Sequence, residues 1–301
     1  MGAGRFLVAA GVAAGAVAGS RRVLDAVSPG GVERWTRTNH RGEPVSMLEG
    51  PALAAGLVAG TAVSGGDARV RVATMLATAG AGAFGVVDDL AEDTSTRTKG
   101  LRGHLGALAH GRVTTGGLKV LGIGATSVLA AALGTTRRSG LVPHLADVAV
   151  NGALVAGSAN LVNLLDLRPG RALKAGAALS APVAGACGGA GTGVLLGASA
   201  AAAPGDLAER DMLGDGGANA LGAFVGARWA FGAPRAVRVA ALAGVVGLTL
   251  ASERVSFSAV IDRTPWLRSV DRLGRRPADA PAEEDVRSRR SGDGSGEDPT
   301  A

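Results

Sequence analysis

The chain alternates between long runs of Ala, Gly, Val and Leu and short polar stretches that carry nearly all of its Arg, Asp and Glu. A helix that crosses a bilayer needs roughly 20 mostly apolar residues, with about 17 to 25 tolerated. On that length scale the runs predict helices at 3–19, 51–66, 70–87, 114–134, 141–164, 172–187, 188–204, 217–233 and 236–252. Read as one helix, 172–204 would be about 50 Å long at 1.5 Å per residue, against about 30 Å of hydrocarbon. Two short spans broken at Gly188-Gly189 are therefore predicted. The expected architecture is all-α: a polytopic integral membrane protein of about nine transmembrane helices, with a membrane-embedded domain over 1–276. Residues 277–301 are rich in Pro, Ser, Gly and acids and almost devoid of apolar side chains, so a disordered tail is expected there.

Composition agrees with this pattern. Hydrophobic residues make up 47% and charged residues only 19% of the 301 positions, with 49 Gly and no Tyr. Small residues let helix backbones approach closely where lipid gives no hydrophobic drive for association. The lone Cys187 excludes an intrachain disulfide and a cysteine-based metal site. Basic residues follow the first apolar run (Arg21, Arg22), whereas a signal peptide would carry them before it; a first transmembrane helix is expected. With nine spans, 22 of the 31 Lys and Arg fall on the side of the C-terminus. The positive-inside rule then places the N-terminus outside and the C-terminus in the cytoplasm, and the plasma membrane is the expected location. In 253–276, apolar residues alternate with Arg263, Arg268, Arg272, Arg275 and Arg276, the pattern of a segment lying along an anionic membrane surface.

The acids before the tail are clustered. Asp88, Asp89, Glu92 and Asp93 follow the third predicted span, Asp166 the fifth, and Asp206, Glu209, Asp211 and Asp215 lie between the seventh and eighth. The predicted topology puts all three groups on the cytoplasmic face. Carboxylates converging there suit a hard cation such as Mg²⁺, which prefers oxygen ligands and shares its coordination with phosphates. The Gly-rich turn 212–219 feeds straight into a helix whose backbone N–H groups suit an anion.

These stretches resemble, in order, four motifs of the polyprenyl-phosphate N-acetylhexosamine-1-phosphate transferase superfamily, which includes phospho-N-acetylmuramoyl-pentapeptide transferase. Gly85-Val86-Val87-Asp88-Asp89 with Lys99-Gly100-Leu101 is similar to its paired-aspartate motif, and Asn160-Leu-Val-Asn163-Leu-Leu-Asp166 to its Asn-x-x-Asn-x-x-Asp motif. Leu213-Gly214-Asp215-Gly216-Gly217 resembles its Gly-Asp-x-Gly motif, and Asn39 with Gly42 and Pro44 resembles its first cytoplasmic loop.

The resemblance implies transfer of a sugar-1-phosphate from a UDP-sugar to polyprenyl phosphate with release of UMP, initiating a cell-envelope glycan. Mg²⁺ would be held by Asp215 and Asp88. Asp88, Asp89 and Lys99 would be catalytic, and Asn39, Asn160, Asn163, Asp166, Gly214, Gly216 and His104 would bind substrate. The implied partners are polyprenyl phosphate, a UDP-sugar and membrane lipids, with a second copy of the chain in a homodimer also admitted. Nucleic acid is not expected, because the basic residues follow membrane topology and form no separate basic domain.

The sequence departs from the family in two places. Asp166 is followed by Leu167-Arg168-Pro169-Gly170, and residues 234–301 lack the His-rich last-loop motif, having no His at all. Either arginines such as Arg254 or Arg263 take over phosphate binding, or the substrate differs from the family's. The alternative is a non-catalytic relative that binds lipid or acts as a scaffold in envelope assembly. Trp35, Trp229 and Trp266 are expected as interfacial anchors.

Overall fold

The computed structural model describes residues 2–91, 115–137, 140–185 and 189–277, and is 80% helical. Its helices are α1 (Gly2–Val27), α2 (Glu49–Val63), α3 (Ala68–Ala91), α4 (Thr115–Gly134), α5 (Leu141–Leu165), α6 (Arg171–Ser180), α7 (Gly189–Leu207), α8 (Gly214–Gly232), α9 (Arg235–Ser252), α10 (Phe257–Arg263) and α11 (Pro265–Arg272). Between α1 and α2 the chain makes a short antiparallel hairpin, Thr36–Thr38 against Pro44–Ser46, so the fold is not purely helical. The expected 277–301 tail lies, but for Pro277, outside the described residues.

Every predicted apolar run coincides with a helix, but the lengths differ from the nine-span expectation. Among the described residues, five helices, α1, α3, α4, α5 and α9, are long and apolar enough to cross a membrane. α2 has 15 residues, about 22 Å of rise, short of about 30 Å of hydrocarbon. The predicted span 172–187 shortens to the 10 residues of α6, followed by a 3₁₀ turn at Ala181–Val183 whose Pro182 has no N–H to continue the ladder.

α8 is the axle of the bundle, with every residue from Gly216 to Arg228 buried. One apolar cluster joins it to α1, α2 and α7 through Val17, Leu57, Leu195 and Phe224. A second joins it to α3, α4 and α5 through Ala77, Ile123, Val155 and Ala223. Small residues set the spacing. A Cβ on Gly197 of α7 would lie 2.7 Å from the Ala10 carbonyl carbon of α1, and one on Gly226 of α8 would lie 2.8 Å from the Val155 Cα of α5.

The long helices expose many aliphatic side chains. Leu7, Leu129 and Leu250 are each exposed by 60% or more, and the one buried residue of α9 is Arg238, whose guanidinium donates to Asn151 Oδ1 at 2.7 Å. A helix with its aliphatic body outward and its arginine inward suits lipid, not water.

Trp35 departs from the anchoring role. It is buried with Met47 and Leu48 beneath the hairpin, and its indole N–H donates to the Pro29 carbonyl at 2.8 Å. Trp229 is half-buried and donates to the Leu179 carbonyl, while Trp266 is exposed as expected.

Candidate functional site at one end of the bundle

The C-terminal ends of α3, α5 and α7, the N-terminal ends of α4 and α8, and the hairpin all meet at one end of the bundle. α3 can approach α8 because both are bare of side chains at the crossing. A Cβ on Gly85 would stand 2.6 Å from the Asp215 carbonyl carbon and 2.8 Å from the Gly216 Cα. One turn further along α3, the Asp89 carboxylate accepts the backbone N–H groups of Asp215 at 3.0 Å and Gly216 at 2.9 Å. These are amide donors that the first turn of α8 leaves without helical partners, and a carboxylate suits the positive end of the helix dipole. Gly214, in the left-handed region at φ +57°, and Gly216 leave room for that carboxylate.

Asp88 points elsewhere, to the Lys119 ammonium of α4 at 2.6 Å, and Lys119 also pairs with Asp215. The adjacent aspartates thus do different work: Asp89 caps α8, and Asp88 shares a cation with Asp215.

Asp166 follows directly on α5, three residues from Asn163 and six from Asn160, so all three lie along one side of the last turns. Burial, and then the carboxylates of Asp206, Asp215 and Asp89, push Asp166 well above the usual carboxylate range. Asp206 Oδ2 accepts the Gly170 N–H at 3.0 Å, and burial raises its pKa to about 6.

Asp166 and Asp206 share a 180 Å³ cavity with Asn39, His40, Arg168, Glu209 and Asp211. Asn39 stiffens the hairpin here: its Oδ1 accepts the N–H groups of Arg41 and Glu43, and its amide donates to Glu209 at 3.3 Å. Among the described residues, no hydrogen bond engages the side chains of Asn160 or Asn163. Lys99 and His104 lie outside the described residues.

Among the described residues, no three His, Cys, Asp or Glu side chains form a ready-made metal group. The donor chemistry nevertheless suits a hard cation. Asp88 and Asp215 close on a single positive charge, and two buried carboxylate oxygens in the same region, Glu49 Oε2 and Glu209 Oε1, have no hydrogen-bond partner among the described residues.

Sequence reasoning missed Lys119, counted only as a charge near a span end, and it missed the arginines that gather beside the acids. Arg168, Arg171, Arg268, Arg272, Arg275 and Arg276 line a 590 Å³ pocket that shares His40 and Arg168 with the acidic cavity. Arg254 and Arg263, expected to replace the missing histidines, do not line it.

No family model matches the chain, and no curated protein matches it. Its function rests on the geometry.

Burial gives one test of the acidic cavity that needs no ligand. Because the Asp206 pKa is raised above the ordinary 3.8, the folded chain holds this proton more tightly than the unfolded chain does. Its contribution to stability is full below pH 3.8 and is lost as the pH rises to about 6. Asp206→Asn removes the charge while keeping an acceptor for the Gly170 N–H. The variant is expected to be more stable than the parent at pH 8 by about 3 kcal/mol and to match it near pH 4. Paired melting curves at the two pH values check this; equal differences at both would remove the buried-charge account.

Proposed function

We propose that this chain is a membrane-embedded phosphotransferase that moves a sugar-1-phosphate, an N-acetylhexosamine-1-phosphate by the motif resemblance, from a UDP-sugar to polyprenyl phosphate. The observation that carries the proposal is the meeting of Asp88, Asp89, Asp166 and Asp215, from three separate motifs, at one end of the bundle beside an arginine-lined pocket. The bundle end would face the cytoplasm, where most of the chain's basic residues are counted.

In this reaction an oxygen of the lipid phosphate forms a bond to the β-phosphorus of the donor. The bond from that phosphorus to the bridging oxygen breaks, and UMP departs with the electron pair. Both reactants are polyanions, so the site must first offset their repulsion. Mg²⁺, held by Asp215 and Asp88, would supply charge neutralisation across the pyrophosphate. Lys119 keeps those two carboxylates at one point, and Asp89 fixes the first turn of α8 on which Asp215 stands. Near pH 7 the lipid phosphate is already largely ionised, so orientation and electrostatics carry more of the barrier than proton removal. Asn163 and Asp166 would form the nucleotide side.

One observation favours the non-catalytic alternative: Lys119 already satisfies both carboxylates that would hold the metal. UMP release separates the two readings. Purified protein is given Mg²⁺, polyprenyl phosphate and a panel of UDP-sugars. The expected result is lipid-dependent UMP release that Asp215→Asn and Asp89→Asn each reduce at least 100-fold. Folded protein that turns over no donor would establish the binding or scaffold reading instead.

A further inference from the structure

The last helix, α11, with the residue that follows it, reverses the usual amphipathic arrangement. Trp266 (67% exposed), Val270 (50%) and Leu273 (71%) face outward, while Asp271 of the same stretch is buried. Asp271 ties the segment to the bundle. Its carboxylate accepts from Arg171 at 2.7 and 3.1 Å and from Arg275 at 2.6 Å, and Lys174 donates to its backbone carbonyl at 2.7 Å. Ser258 accepts from Arg171 at 2.8 Å, and Arg276 closes the far side on Glu43 at 2.6 Å. Buried pairs of this kind fix the segment's position, and its exposed aliphatic and indole surface is that of a helix lying in a membrane interface.

The pocket enclosed by this segment has a large excess of positive charge. Asp262 and Asp271 are the acids that line it, against seven arginines among the described residues. Arg171 and Arg275 share Asp271, Arg41 pairs with Glu209 at 2.9 Å, and Arg276 pairs with Glu43. Among the described residues, no acid pairs with Arg168, Arg268 or Arg272. Burial, with Arg171 and Arg168 close by, lowers the hold of Arg275 on its proton despite Asp271. Guanidinium groups gathered with too few carboxylates suit phosphate, whose oxygens take two parallel N–H donors from each arginine.

We infer that this pocket binds the phosphate head of a membrane amphiphile, held by Arg168, Arg268 and Arg272, while its hydrocarbon tail stays in the lipid against Trp266, Val270 and Leu273. A free nucleotide would not explain why the pocket's wall carries its apolar surface outward. The inference concerns binding alone and needs neither donor nor metal. Under the transferase reading the amphiphile would be the acceptor lipid.

The test uses the full chain in detergent with a chelator present, titrated calorimetrically with dodecyl phosphate, dodecanol, inorganic phosphate and UMP in separate arms. Dodecyl phosphate is expected to bind at least tenfold tighter than the other three. Arg268→Gln together with Arg272→Gln is expected to weaken it at least tenfold. These side chains are exposed and, among the described residues, without acidic partners, so the variant should fold; an unchanged melting temperature checks that. Should it misfold, Trp266→Ser with Leu273→Ser is expected to weaken dodecyl phosphate at least fivefold while leaving inorganic phosphate unchanged. Equal binding of inorganic phosphate or UMP would assign the pocket to a soluble anion and overturn the inference, as would dodecyl phosphate affinity that neither variant lowers. Turnover plays no part in the readout. Failure here would therefore leave the transferase reading standing, and absence of UMP release would leave this inference standing.

Discussion

Lys119→Met is expected to lower the melting temperature by about 5–10 °C in the presence of a chelator, and millimolar Mg²⁺ is expected to restore most of the loss. The ammonium lies between Asp88 and Asp215, and all three side chains are mostly withdrawn from solvent, with 18%, 15% and 27% exposure. Removing one member of such a group leaves the others charged with nothing to neutralise them, at a cost on the order of 3 kcal/mol after allowing for their residual exposure. In a domain of this size each kcal/mol corresponds to roughly 2–4 °C. The two carboxylates freed by the substitution are hard oxygen donors aimed at one point, which is what a divalent cation needs. Stabilisation by Mg²⁺ in the variant, with a much smaller response in the parent, would show that the ammonium and a metal compete for one position. Were Mg²⁺ to leave the variant's melting temperature unmoved, Asp88 and Asp215 would serve only as structural partners of Lys119, and the metal site proposed on them would fall.

The helices of this bundle were legible because apolar runs in a charge-poor chain have few alternatives. Their lengths were less so: 172–187 reads as one apolar run broken only by Lys174 and Ser180, yet α6 stops at Ser180 because Pro182 breaks the ladder. The acids were legible through their spacing, and Asp88, Asp89, Asp166 and Asp215 do come together. The work of each was not. Which of two adjacent aspartates caps α8 and which meets a lysine depends on the rotation of α3, and a helix of Ala, Gly and Val on every side carries no polar stripe to reveal that rotation. Lys119 was hidden for the same reason, as a single charge in the otherwise apolar run 115–134. The arginine alternation in 253–276 suggested a membrane-surface segment but not its inward polar face. That face depends on Asp271 finding Arg171, a partner 100 residues away in sequence. Asn39 shows the converse: chosen through the first-loop motif, it spends its side chain on the hairpin and on Glu209.

Gly85→Ala is expected to be the most damaging conservative substitution in the site. A methyl group there would lie 2.6 Å from the Asp215 carbonyl carbon and 2.8 Å from the Gly216 Cα, both backbone atoms of a helix buried along most of its length. Neither neighbour can rotate away as a side chain would, so α3 and α8 must separate, at a cost of roughly 1–3 kcal/mol or more for overpacking. Separation also lengthens the Asp89 contacts to the first turn of α8, whose loss adds about 1 kcal/mol. The effect on chemistry should exceed the effect on stability, because Asp88 and Asp89 ride on α3 while Asp215 rides on α8. A displacement of about 1 Å between reacting groups costs on the order of 100-fold in rate. Gly85→Ala is therefore expected to lower UMP release at least 100-fold in protein that still melts cooperatively. Gly197→Ala makes the matching control, since it crowds α7 against α1 and touches none of the carboxylates. If both variants lost activity only in proportion to stability, the glycine at the α3–α8 crossing would serve packing alone. A selective loss in Gly85→Ala would instead show that closeness of these two helices is what builds the site.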